Sequence, residues 1–130
     1  MKKSYSVLIN EARKAIDKGF YASKTPQKRY GAAVLTENGN IYSAGQYSSF
    51  NHITSIHAEM GAIINATMNG EPRIIAMALS SSCKDAVCSC GVCLQFIKEH
   101  CMRTGIDMKL IYDGTDIIEK SHLELSNEMW

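Results

Sequence analysis

The sequence predicts an α/β layered sandwich in which helices pack on a central sheet. Three observations carry this reading. Apolar residues recur at helical three-or-four spacing in two segments, and cap and stop residues mark a third helix between them. Short β-compatible runs lie between those segments, and Gly, Asn and Pro mark nearly every boundary. Together they give the order α-β-β-α-β-α-β.

The first helix is marked by Tyr5, Leu8, Ala12, Ala15 and Ile16, with Gly19 as its stop. Lys24–Arg29 is polar, contains Pro26, and reads as loop. Tyr30–Thr36 and Ile41–Tyr47 flank Glu37-Asn38-Gly39-Asn40, and the Asn38-Gly39 pair predicts a hairpin with a type I′ turn. Thr54 and Ser55 are cap residues for a helix from about Ile56 to Met68, which Asn69-Gly70 ends and Pro72 keeps from resuming. Arg73–Ser81 reads as a largely buried strand. A third helix, opening near Ser89 and running to Arg103, carries Val92, Phe96, Ile97 and Cys101 at helical spacing and stops at Gly105. Asp107–Tyr112 is a fourth strand closed by Asp113-Gly114, and 116–125 forms one more short helix or strand.

The chain has 130 residues, 45% of them hydrophobic and 21% charged, which suits one domain (1–130) with a buried core. A net charge of +1 supplies no electrostatic footprint for duplex DNA or an anionic membrane. The longest apolar run, Ile74–Leu79, is far too short to span a bilayer. Lys2 and Lys3 are followed by Asn10, Glu11, Arg13 and Lys14 rather than by an apolar stretch, so a cytoplasmic location is expected. Five cysteines is an odd count, and three crowd into Cys88–Cys93, which favours a metal or catalysis over a disulfide framework.

Two groups carry the chemistry. His57-Ala58-Glu59 stands at the start of the second helix and Cys90-Gly91-Val92-Cys93 at the start of the third. Cys90 and Cys93 are three apart, so a helix puts them on one face, where they can grip a single ion. Thiolate and imidazole are ligands that zinc prefers, and three of them leave its fourth position open. Both groups sit at helix N-termini, where the dipole favours thiolate over thiol. Glu59 is close enough to serve as an acid–base group beside metal-activated water. The competing reading is a closed structural site with Cys88 as fourth ligand, in which Glu59 has no task.

The paired motifs, with the Gly31-Ala32-Ala33-Val34-Leu35 strand, the Asn38-Gly39 turn and Gln95 after Cys93, resemble the zinc-dependent cytidine deaminase superfamily. Length and element order resemble its short nucleoside-deaminase branch, which includes enzymes acting on cytidine and on blasticidin S. The resemblance implies a three-layer α/β/α fold with a central mixed sheet of about five strands. It also implies Zn²⁺ on His57, Cys90 and Cys93, with Glu59 moving protons as an aminopyrimidine nucleoside loses ammonia. Further implied are a ring-carbonyl contact from the Ala58 backbone and a backbone acceptor at Cys88 or Ser89 for the departing amine. Relatives with three cysteine ligands tend to carry arginines at the positions of Met60 and Leu94, in keeping with histidine as the first ligand here. A homodimer or homotetramer is implied as well. The alternatives are a blasticidin-S-type or other aminoheterocycle deaminase, or a zinc-containing binding protein without turnover.

The sequence departs from this family at several positions. Ser89 replaces a proline, Gln46 and Ser48 stand where an Asn-x-Glu pair grips the ribose, and Lys28 replaces an aromatic residue. Lys24, Lys28 and Arg29 form a basic loop that either meets an anionic or oxygen-rich group or is simply solvated. Phe50 could stack on a base or merely pack, and Trp130 is expected to cover a pocket. His52 has a smaller claim on substrate, while His100 and His122 read as surface or helix-end residues.

Overall fold

The computed structural model describes residues 3–21, 28–50, 54–84 and 87–123. Helix α1 (Lys3–Ala15) runs into a 3₁₀ turn (Ile16–Lys18) and is followed by β1 (Tyr30–Thr36) and β2 (Ile41–Gly45). Then come α2 (Ala58–Met68), β3 (Ile74–Ser81), α3 (Gly91–Thr104), β4 (Lys109–Asp113) and β5 (Ile117–Ser121). The strands form one mixed sheet in the order β2-β1-β3-β4-β5. Only the β3–β4 pair is parallel, as expected where α3 crosses between two strands. The fifth strand settles the tail: 117–121 pairs antiparallel with β4.

Strand alternation divides the core in two. Ala33, Leu35, Ala76, Ala78 and Ile111 point to one face, against Tyr5, Leu8, Ile9 and Ala12 of α1. Ala32, Val34, Met77, Leu79, Leu110 and Tyr112 point to the other, against Ala58, Ala62, Ile63, Ile97 and Cys101 of α2 and α3. This is the three-layer α/β/α arrangement. Helix α1 lies directly on the sheet backbone. A Cβ at Gly31 would come within 2.3 Å of the Ala12 carbonyl oxygen, and one at Gly45 within 2.4 Å of the Gly19 nitrogen.

Three local expectations are corrected. The hairpin has a three-residue loop, closed by Gly39 N–H to Thr36 O (2.9 Å) and Thr36 N–H to Asn40 O (2.9 Å). Gly39 takes the left-handed position at φ 89°, in place of a two-residue type I′ turn. Helix α2 starts at Ala58 because Ile56 is held extended, exchanging backbone hydrogen bonds with Tyr47 at 2.8 and 2.9 Å. Ser55 therefore caps nothing, and its Oγ accepts from the Ser49 amide at 2.9 Å. His122 is buried against Asp107, its Nδ1 lying 2.6 Å from Oδ1. Among the described residues, no helix is long and apolar enough to cross a membrane.

Candidate metal centre and active site

Helices α2 and α3 enter the same region N-terminus first. The later start of α2 makes His57 its N-cap residue, extended at φ −70° and ψ 154°. Cys90 holds the same place on α3, at φ −75° and ψ 170°, and its sulfur accepts from the Cys93 amide at 3.5 Å. The cap position swings each side chain out of the helix while leaving it beside the unpaired N–H groups of the first turn. His57 Nδ1 lies 3.0 Å from Cys93 Sγ and 3.3 Å from Cys90 Sγ, and the three donor atoms all fall within 4.8 Å of one another.

This donor set fits zinc. Tetrahedral bonds of about 2.0 Å to nitrogen and 2.3 Å to sulfur place the two ligand types about 3.5 Å apart, so the observed cluster needs only a small expansion. Cys93 is fully buried, and that burial, followed by the charge of Glu59, pushes its thiol well above the ordinary range. A thiol so placed ionises only beside a cation. Cys88 is exposed and is not part of the cluster, which among the described residues comprises three protein donors.

Glu59 sits in the first turn of α2, 4% exposed, and lines a cavity of about 210 Å³ together with Tyr30, Gln46, His57, Ala58, Cys88 and Cys90. The candidate acid, two of the three metal donors and the peptide of Ala58 thus share one enclosure. Gln46 Oε1 is buried there without a hydrogen-bond partner among the described residues. Among the described residues, no lysine or arginine lines the cavity. A second cavity, about 260 Å³, is lined by Lys84, Val87, Cys88, Tyr112, Gly114, Thr115, Asp116 and Ile118, so Cys88 belongs to both.

Of the other residues expected near substrate, Gln46, Ala58 and Cys88 line the first cavity, whereas Lys28, Ser48, Phe50 and Ser89 do not. Lys28 is exposed, and Arg29 lies over the Tyr21 ring at 5.1 Å. Ser48 gives its amide to the Phe20 carbonyl at 2.8 Å, and Phe50 is 91% exposed. Ser89 is buried and bonded to Tyr112. Lys24, His52 and Trp130 lie outside the described residues. Tyr30 is a cavity residue that the sequence reading missed. It alternates in step with Ala32 and Val34, so its pattern matches that of a core strand residue.

Residues 3–106 match the sequence profile of the cytidine and deoxycytidylate deaminase zinc-binding region. A cytidine deaminase from Sporosarcina psychrophila is 33% identical over 95 residues, spanning 72% of this chain and 68% of that protein. Another, from Serratia proteamaculans, is 27% identical over 88 residues, and that match spans 66% of this chain but only 27% of the longer relative. In three dimensions the chain is similar to the crystal structure of a cytidine deaminase from Burkholderia pseudomallei, with a TM-score of 0.80, 20% identity and 96% of each chain covered. It is also similar to one from Mycobacterium leprae, with a TM-score of 0.77, 18% identity and 95% and 98% covered.

Proposed function

The chain belongs to the cytidine and deoxycytidylate deaminase zinc-binding family, and on that premise we propose that it deaminates a small, neutral aminopyrimidine nucleoside of the cytidine or deoxycytidine kind. One observation carries the reading: a buried carboxylate without an ion-pair partner among the described residues shares a cavity with a three-donor metal cluster. His57, Cys90 and Cys93 would hold zinc. When bound, zinc supplies Lewis-acid activation of water. Glu59 takes a proton from that water and returns it to the amino nitrogen, so the ring carbon gains a C–O bond and its C–N bond breaks to release ammonia. Ala58 presents backbone to the ring carbonyl, and the Cys88–Ser89 backbone receives the departing amine.

The enclosure also supports a class of substrate. At about 210 Å³ it falls below the ~300–1,000 Å³ typical of sites for drug-sized ligands. Gln46 Oε1 calls for a ligand donor, because a buried carbonyl without one is costly. The described lining carries no cation, which supports a hydroxyl-bearing nucleoside over a phosphate ester. A second reading, an aminoheterocycle with a longer substituent such as blasticidin S, is favoured by the cavity beyond Cys88. We place the protein in the cytoplasm, in keeping with its five free cysteines. We also infer a homodimer or homotetramer, supported by the exposed Met68, Val92 and Met102 side chains on α2 and α3.

The test is ammonia release from cytidine, deoxycytidine, cytosine, their monophosphates and blasticidin S, using protein of measured zinc content. A nucleoside is expected to react fastest and its monophosphate at least about tenfold slower, a difference of about 1.4 kcal/mol. Chelation should stop the reaction. Protein that holds zinc and releases no ammonia from any of these compounds overturns the proposal.

A further inference from the structure

Residues 87–89 form a partition between the two cavities. Cys88 is a wall of both, and the partition ends at Cys90, the N-cap of α3 and a metal-donor residue. Among the described residues, no backbone–backbone hydrogen bond holds 87, 88 or 89. The anchor is a side-chain bond from beneath. Tyr112, on β4 and 5% exposed, donates its phenol hydrogen to Ser89 Oγ at 3.1 Å, and Ser89 itself is 8% exposed. A buried hydroxyl pair of this kind has no water to exchange with, so losing either member leaves the other unsatisfied. Burial pushes the phenol up to about 12, with Ser89 acting against that rise. The bond therefore persists with the phenol protonated across the working pH range.

We propose that Tyr112 is a positioning residue for deamination: through Ser89 it fixes the Cys88–Ser89 backbone against which the leaving amine is held. Proline, with its locked φ, would stiffen this backbone from within the chain. Serine cannot, and the stiffness comes from the neighbouring strand instead. Tyr112 does not line the first cavity and is not one of the metal donors. Its hydroxyl acts on the partition alone, while its ring packs in the core with Leu79 and Leu110. The proposal rests on the deaminase reading for its effect on rate, but not for the anchor itself.

Tyr112→Phe keeps the ring and removes only the hydroxyl, and Ser89→Ala removes the other half. Each is expected to lower kcat about tenfold on the best substrate, with KM within about twofold and zinc content unchanged, the pattern of an interaction felt mainly in the transition state. The double variant should be no worse than Tyr112→Phe alone, since that change already removes the phenol's contacts with both the side chain and the backbone of Ser89. Hydrogen exchange, which needs no substrate, should quicken in the peptide containing 87–89 and stay unchanged in β1 and β3. Losses that multiply in the double variant, an unchanged kcat, or exchange that quickens equally across the sheet each overturn the proposal. If the wild-type protein deaminates nothing, the functional reading fails while the exchange experiment still decides whether the anchor exists.

Discussion

On the α1 face of the sheet, Asp113 is 1% exposed and is enclosed by donors. Arg13 Nε and Nη2 reach it at 2.7 and 2.9 Å, Lys84 Nζ at 2.7 Å and Ser80 Oγ at 2.8 Å. On the opposite face Glu59 is 4% exposed and forms no ion pair among the described residues. Burial alone would raise the Asp113 carboxyl, but the hydrogen bonds from Arg13, Lys84 and Ser80 outweigh it and hold the group well below the ordinary carboxylate range. That acid is fixed as an anion and ties α1, β3, β4 and the following loop together. Glu59 has no ion-pair partner among the described residues and instead lines the cavity beside His57 and Cys90, where a carboxylate can serve as an acid–base group. The two faces differ in packing too. The α1 face brings helix and strand backbones into contact, while the other leaves two helix tips apart around a cavity.

Exchanging the roles of the two acids is the sharpest way to break this comparison. Glu59→Gln should lower deamination by about 10²–10⁴-fold, the usual contribution of a positioned acid–base group, while zinc content and urea midpoint stay level or rise. A variant that keeps its rate would make Glu59 a structural acid like Asp113 and end the contrast.

The chemistry of the Glu59 face was largely legible in the sequence because its parts are local. His57 and Glu59 are two apart and Cys90 and Cys93 three apart, so the start of a single helix places each pair without knowledge of the rest. What escaped depends on partners distant in the chain. Asp113 reads as a turn residue, yet its main partner, Arg13, is 100 positions away. Thr54 and Ser55 have cap chemistry, but the Tyr47–Ile56 bridge, invisible to local propensity, keeps the chain extended until His57. Tyr112 and Ser89 look like a strand aromatic and a helix-cap serine, and only the fold joins them. The hairpin is an intermediate case, since Asn38-Gly39 located the turn, while loop length depends on how β1 and β2 register.

The second test concerns packing on the α1 face. Gly31→Ala would place a Cβ 2.3 Å from Ala12 O and 2.5 Å from Ile16 N, both backbone atoms that cannot rotate away. A loss of about 3 kcal/mol is expected in urea unfolding, at the upper end for overpacking. A loss below about 1 kcal/mol would show that α1 can lift from the sheet at small cost.

Asp113→Asn is the complement of the Glu59 experiment. It should cost about 2 kcal/mol, less than the ~3–5 kcal/mol for breaking a fully buried pair, because the Arg13 and Lys84 side chains are 50% and 41% exposed. The turnover number should stay within about twofold of wild type, since the group faces away from the cavity. If turnover fell as far as it does for Glu59→Gln, the division of labour between the faces would be wrong.

The smallest effect separates these buried acids from a half-buried one. The Glu71 carboxylate accepts from Tyr42, Asn40, Thr36 and Asn38, clasping the β1–β2 hairpin to the α2–β3 connection. Those bonds, the Tyr42 bond first, lower its pKa from 4.5 to about 2. A depressed folded-state value means that its contribution is fully present above about pH 4.5 and is lost as the pH falls toward 2. Asp113 has the same sign, so both steepen the fall of stability in acid. Glu71→Gln should flatten that fall while barely moving the urea midpoint at pH 7, because solvent screens a half-buried clasp and an amide oxygen can still accept. Asp113→Asn should lower the midpoint at pH 7 as well as flatten the acid limb. Urea midpoints at pH 7 and pH 3 distinguish the two, and an acid slope unchanged in Glu71→Gln would remove Glu71 from the account and leave the buried acid as the source of the pH dependence.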